Sequence, residues 1–288
     1  MQDGKRKMKR ILIAAGIAAA TSVGAQAADL GAHPYTKATP AVAAVYDWTG
    51  FYVGGNVGYG WGENTDPGLS LVNPGNDGGI TTFLTTGFPG FSSGNQFPNL
   101  HPDGVLGGLQ IGYDRQFGTW VLGAVADIQA ADFKDGRTIF TPFAATAADT
   151  TERLSAKITW FGTVRAKAGV AMGDWLAYGT GGLAYGNADS SIGFACTPGG
   201  AGCTNVAFAG NKSEVRVGWS AGAGISKMLA GNWNVGVEYL HIDLGRSSVT
   251  GTDRRWPTTT ITQSQRFVED MVRLTVNYKF GGPVVARY

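Results

Sequence analysis

The chain has 288 residues, 45 of them glycine, with 15% charged residues and a formal net charge of +2. Glycine is about twice its usual share of roughly 7%, but no Gly-X-Y period runs through it, which excludes a collagen-like chain. Aromatic residues make up 11%, too many for a disordered chain, and the length admits one large domain or two small ones.

The first element is a targeting segment. "MQDGKRKMKR" is a basic n-region, "ILIAAGIAAATSVG" an apolar h-region, and "AQA" at Ala25 to Ala27 a small-residue cleavage site. Residues 1–27 read as a secretory signal peptide. An N-terminal anchor is the alternative, but the apolar run falls short of the roughly 20 residues a spanning helix needs. Lys5, Arg6, Lys7, Lys9 and Arg10 against Asp3 give this segment +4, so the remainder carries −2 rather than +2. The basicity belongs to the export signal, and a nucleic-acid partner loses its main argument. No later run of about 18 apolar residues exists, so no spanning helix is expected. Residues 28–47, rich in alanine and proline, read as an extended periplasmic linker. Residues 48–288 form the folded domain.

From there the chain has a period of two. In "DWTGFYVGGNVGYGWG" Phe51, Val53, Val57, Tyr59 and Trp61 share one face, while Gly54, Asn56, Gly58 and Gly60 share the other. A helix would mix these sets, with each interior glycine costing about 1 kcal/mol. The alternation recurs, and eight strands are predicted near 50–62, 103–116, 119–132, 153–171, 175–189, 213–228, 232–245 and 268–280. In the last of these Val272, Leu274, Val276 and Tyr278 oppose Arg273, Thr275, Asn277 and Lys279.

Connection lengths also alternate. Tight turns fall at Phe117, Gly173 and Ala230; long loops rich in Gly, Pro, Asn, Thr and Ser fall near 63–102, 133–152, 190–212 and 246–267. This is an up-and-down antiparallel meander with both termini at the short-turn end. A soluble lipocalin-like barrel has the same pattern. Three features favour the membrane. The polar face carries charges of both signs, including Asp114, Asp127, Arg165 and Glu238, which suit an apolar-ligand pocket poorly. Aromatics gather towards strand ends, as at Trp120, Trp175, Trp233 and Tyr278. The charge-poor face would be a solubility defect in water. The expected fold is therefore all-β: an eight-stranded antiparallel up-and-down transmembrane β-barrel, its backbone satisfied by closure.

The segments "DWTGFYVGGNVGYGWG", "GGLQIGYDRQFGTWVLGAVADIQ", "TWFGTVRAKAGVA", "WLAYGTGGLAYG", "VGWSAGAGISKML", "NWNVGVEYLHIDLG" and "VRLTVNYKFGG" resemble the small porin-like outer-membrane β-barrel family of alphaproteobacteria. That family includes major surface antigens and haemin-binding surface proteins, and is similar in fold to the eight-stranded OmpA transmembrane domain. The resemblance spans Trp48 to Phe280. It departs at Val125, where the family pattern has an inward glutamate, and at the end, where "GGPVVARY" follows the aromatic Phe280. What it implies is an outer-membrane, Gram-negative cell-envelope protein, exported and inserted by the barrel-assembly machinery, with lipid and lipopolysaccharide around it. Oligomeric state is open.

A barrel of eight strands is just wide enough for side chains to fill it. The inward charges Asp127, Arg165, Lys167, Arg216, Glu238 and Arg273 read either as a mutually paired plug or as the lining of a narrow charged conduit. Cys196 and Cys203, in "CTPGGAGC", suit a local disulfide in an oxidising compartment; two thiols without a nearby histidine make a poor metal site. His101, at the end of the first long loop, is an axial-ligand candidate through the family's haemin binders, and otherwise an ordinary loop histidine. "EYLHIDLGRSS" holds Glu238, His241, Asp243 and Ser247, but strand period puts Glu238 and His241 on opposite faces, against a lipid-modifying enzyme. The expected role is structural and surface-presenting, with at most restricted solute passage, no cofactor and no catalysis. The alternatives are a small-solute porin, or a haemin or surface-ligand binder acting through the loops.

Overall fold

The computed structural model describes residues 46–62, 68–72, 100–141, 150–196, 207–229, 232–255 and 257–281. The expected signal peptide, nearly all of the linker, Cys203 and the side chain of Cys196 lie outside these residues, so the disulfide does too.

Nine strands are described: β1 (Gly50–Gly62), β2 (Gly68–Val72), β3 (Asp103–Phe117), β4 (Trp120–Thr141), β5 (Thr150–Met172), β6 (Trp175–Cys196), β7 (Ala207–Met228), β8 (Trp233–Thr252) and β9 (Thr260–Lys279). They form one antiparallel sheet in which β1 pairs both β3 and β9, so the sheet closes on itself. The short β2 pairs β9 just beyond β1: Gly62 faces Glu269 and Gly68 faces Ser264. It prolongs β1 along the same neighbour, and the ring has eight positions. Among the described residues no helix is long and apolar enough to cross a membrane.

The β3–β4 and β5–β6 turns place Gly118 and Gly173 at φ 61° and 65°, and the β7–β8 turn places Asn232 at φ 69°. Glycine as the first of two turn residues with positive φ matches the twist of the flanking strands. The strands outrun the alternation at the other end. Segments expected in the loops near 63–102, 133–152, 190–212 and 246–267 include β2, the end of β4, the start of β5, the end of β6, the start of β7, the end of β8 and the start of β9.

The physical reason is a change of polarity along the longer strands, clearest on β9. Towards the short turns, β9 turns Val272, Leu274 and Val276 outward and Arg273, Thr275 and Asn277 inward. Towards the long loops, it turns Thr262, Ser264 and Arg266 outward and buries Ile261 and Phe267 together with Gln263, Gln265 and Glu269. The first half is dressed for lipid, the second for water. β-bulges sharpen the change. On β5 the register shifts between Lys157 and Phe161; on one side Phe161, Thr163 and Arg165 point inward, on the other Leu154, Ala156 and Ile158. One extra residue swaps the faces. The Asn187 amide oxygen accepts hydrogen bonds from the Thr159 and Trp160 backbone nitrogens at 2.9 and 3.0 Å, filling the gap in the ladder. A second shift on β8, between Asp243 and Gly245 (φ 77°), does the same.

Candidate functional site

The lumen is built in layers. At the short-turn mouth Trp48, just before β1, is folded inside and packs with Val121, Leu176 and Met228. Its backbone N–H donates to Gln116 Oε1 at 2.9 Å, the Gln116 N–H donates to Thr49 Oγ1 at 3.1 Å, and Lys279 donates to the carbonyl oxygens of Asp47 and Thr49. Next comes an amide layer, in which Gln110 Nε2 donates to Asn277 Oδ1 at 2.6 Å and Asn277 Nδ2 to Asn234 Oδ1 at 2.9 Å. Lys167 pairs with Asp114 at 2.5 Å and lies over the rings of Tyr52 and Tyr178, 4.8 and 5.2 Å from their centroids. This is a desolvated cation between two aromatic faces.

The central layer is a quartet. Arg165 pairs with Asp127 at 2.8 Å and Glu238 at 2.5 Å; Arg273 pairs with Asp127 at 3.0 Å and Glu238 at 2.8 Å. The Thr163 hydroxyl donates to Asp127 at 2.9 Å, and Arg165 also donates to the hydroxyls of Thr163 and Thr180. All four charged side chains are at most 4% exposed, and their charges cancel. The sheet leaves space for this layer through small residues: a methyl group at Gly182 would lie 2.7 Å from Arg165 Cα, and one at Gly58 would lie 2.9 Å from Arg273 Cα. Val125, opposite Arg165 on β4, is buried, so the wall there is apolar. Between the amide layer, the lysine pair and the quartet lies a polar cavity of about 20 Å³, room for roughly one water.

Above the quartet an apolar cluster shares the lumen with buried polar side chains, among them Gln129, Gln263 and Gln265. Leu106, Phe133, Phe161, Leu240, Ile242, Phe267 and Met271 belong to one buried cluster that continues through Leu154, Ile192 and Val249. Glu269 lies within this half, 2% exposed, with neither carboxylate oxygen hydrogen-bonded.

Five of the six expected lumen charges thus lie in two adjoining layers, and Arg216 lies apart. Arg165 faces Gly182 of β6 and Arg216 faces Gly186, four residues or about 13 Å further along the strand. There Arg216 pairs with Glu214 at 2.9 Å and donates to the Leu244 carbonyl at 3.1 Å, while Ser247 donates to Glu214 at 2.5 Å. These bonds bridge β7 to β8 where their ladder is interrupted between Ala209 and Trp219. Arg216 keeps the phase of the inward residues of β7, but its level along the barrel depends on strand stagger, which alternation does not contain. The same holds for Asp114, Tyr52, Gln110 and Asn277, whose inward phase was readable but whose meeting was not. Trp48 had no strand period to mark it.

The Ser247 hydrogen bond, then the lysine and arginine beside it, hold the Glu214 carboxyl down at about 2. His101 is half-buried, and its backbone N–H donates to Asp135 at 2.8 Å. His241 lies on the outer side, its Nδ1 2.8 Å from Asp270 Oδ1, with the Tyr239 hydroxyl donating to the same oxygen at 2.5 Å. Glu238 points inward, as its phase requires, so the two never meet.

Two rings of aromatics bound the apolar outer band. Phe51, Tyr113, Trp120, Trp175, Trp233 and Tyr278 gather at the short-turn side. Tyr59, Trp61, Trp160, Tyr185, Trp219 and Tyr239 gather on the other. A closed antiparallel barrel with such a belt and a filled polar lumen is a transmembrane β-barrel of the outer-membrane type. Residues 13–280 match the family model described as "Outer membrane protein beta-barrel domain", and the chain belongs to that family; it is an outer-membrane β-barrel protein. It is 31% identical over 275 residues to the 31 kDa outer-membrane immunogenic proteins of Brucella melitensis and Brucella suis, covering 95% of this chain and 100% of theirs. Among solved structures it aligns with the outer-membrane protein OprG of Pseudomonas aeruginosa at 13% identity and a TM-score of 0.39, over 81% of this chain and 98% of that one.

Proposed function

We propose that the protein is a closed structural barrel of the outer membrane that presents its long-loop end at the cell surface and conducts no large solute. The observation that carries this is the Asp127–Arg165–Glu238–Arg273 quartet, four buried charges that pair with one another across the lumen. The Trp48 plug on one side and the apolar cluster on the other support the same reading. An open pore would leave such charges wet, and a buried pair that loses one member is strongly destabilised.

In this reading the short-turn mouth and both termini face the periplasm. The export and barrel-assembly machinery and the lipids of the membrane, lipopolysaccharide included, are its partners. It works without a cofactor or a catalytic centre, and His101 is a structural residue of the loop end rather than a haem ligand. Planar-bilayer recording of purified protein tests the closed lumen. The expected trace has no large, stable steps; steps of that kind, abolished with the protein and reproduced between preparations, would sink the reading.

A further inference from the structure

Glu269 is a charge-bearing group that the closed lumen leaves without a partner. It is 2% exposed, and neither carboxylate oxygen has a hydrogen-bond donor. Phe267 and Met271 flank it on the inner face of β9, and Ile242 faces it from β8; all three are at most 2% exposed. From β1 it is faced by Gly62, where a methyl group would lie 2.5 and 2.6 Å from the two carboxylate oxygens. The lack of a side chain there is what seats the carboxyl. One inward position below, at Gly60, a methyl would lie 2.5 Å from the Phe133 ring, so apolar groups close the seat on that side too. The buried amides of the same half do not reach it: Gln129 and Gln263 leave their Nε2 groups unpaired, and Gln265 donates to the Ser190 hydroxyl.

No cation answers it among the described residues. Arg273, the next inward cation on β9, is four residues or about 13 Å away and is held by Asp127 and Glu238. Arg137 of β4 lies four residues beyond Phe133. On the outer faces stand Asp270 and Asp103, which add negative charge, with His241 held by Asp270 and Arg266 by Asp243. A carboxylate buried without counter-charge or hydrogen bonds is too costly to keep, and such a group takes up a proton instead. Gly62 is one residue beyond Trp61 of the second aromatic ring, so Glu269 stands outside the apolar outer band. Burial, then the charges of Asp270 and Asp103, push its carboxyl well above the usual range. We propose that Glu269 is a proton-binding site in the long-loop half of the lumen, held there as the neutral acid, and that its ionisation opens the surrounding segments of β1, β8 and β9 to water.

The proton is bound more tightly by the folded chain than by the unfolded one. Its contribution is therefore complete below the ordinary value of 4.5 and is lost as pH rises, by up to about tenfold in the opening equilibrium per pH unit, until the folded carboxyl ionises. Infrared difference spectra of the full chain in lipid vesicles at pH 7, wild type minus E269Q, are expected to show the carbonyl stretch of a protonated carboxylic acid. Hydrogen exchange of the β9 amides from 261 to 271, corrected for intrinsic rate, is expected to show opening at least tenfold more frequent at pH 8 than at pH 6 in wild type, and no such change in E269Q. H241Q is expected to behave as wild type. Every variant is checked for the heat-dependent gel shift of a folded barrel, and E269M repeats the comparison should E269Q fail it. A carboxylate band in place of the acid band, or the same pH response in E269Q as in wild type, overturns the proposal. So does loss of the response in H241Q, which would assign it to the His241–Asp270 pair, or a response to sodium or potassium concentration at fixed pH, which would make the occupant a metal cation. Failure here leaves the conductance result untouched, so the two readings fall separately.

Discussion

Replacing Glu238 with glutamine tests the quartet with the least change of shape. In the native lumen Glu238 accepts from Arg165 Nη1 at 2.5 Å, Arg273 Nε at 3.0 Å and Arg273 Nη2 at 2.8 Å. Whichever way the new amide turns, its NH2 group faces a guanidinium donor. Two arginines then share one carboxylate, that of Asp127, and a net charge of +1 is left in a layer with almost no water. Removing one member of a buried pair costs about 3–5 kcal/mol, a fall of roughly a hundred- to several-thousand-fold in the folded-to-unfolded ratio. The double variant E238Q/R273Q restores neutrality and is expected to be less costly than the sum of its parts, with a coupling of about 1–3 kcal/mol. Reversible urea unfolding in lipid vesicles, followed by tryptophan fluorescence, measures both. A Glu238→Gln change within about 0.5 kcal/mol of wild type, with an additive double variant, would refute the claim that the quartet is a desolvated, mutually dependent network.

Three further outcomes are expected. Trp48→Ala empties the short-turn mouth and should lower stability by about 3–5 kcal/mol in the same unfolding assay; a loss under about 1 kcal/mol would place Trp48 outside the mouth. A methyl at Gly58 would lie 2.4 Å from the Val272 carbonyl oxygen, whereas one at Gly107 would meet nothing nearer than 3.6 Å. Gly58→Ala should therefore cost about 1–3 kcal/mol and Gly107→Ala almost nothing, and equal costs would contradict the packing described. Glu214 titrates at about 2 in the folded protein against an ordinary value of 4.5. Its depressed pKa contributes stability that is complete above pH 4.5 and is lost as pH falls through about 2. Carboxyl carbon NMR should show that low midpoint, and Ser247→Ala should raise it; an unmoved midpoint would rule out the Ser247 hydroxyl as its main cause.

Some of this molecule is local, and the sequence determined it. Alternation at Phe51 to Trp61 and at Val272 to Tyr278 is a property of neighbours in the chain, so strand identity, face and the turns at Gly118 and Gly173 were legible. So was the inward phase of Asp127, Arg165, Glu238 and Arg273. Other features needed the closed sheet. Leu154, Ile158 and Val249 face inward only because a bulge on each of β5 and β8 shifts the phase, and a bulge is a matter of how two strands register. The long-loop ends of the strands looked like loops because their outer faces are polar and their inner faces mix buried apolar residues with buried amides, unlike the apolar-out, polar-in membrane half. Stagger between strands set the levels at which side chains meet. It placed Arg216 about 13 Å from the layer it shares a phase with, and gave Lys167 to Asp114. A one-dimensional pattern gives the direction of each side chain; the height at which it finds a partner is fixed by barrel closure.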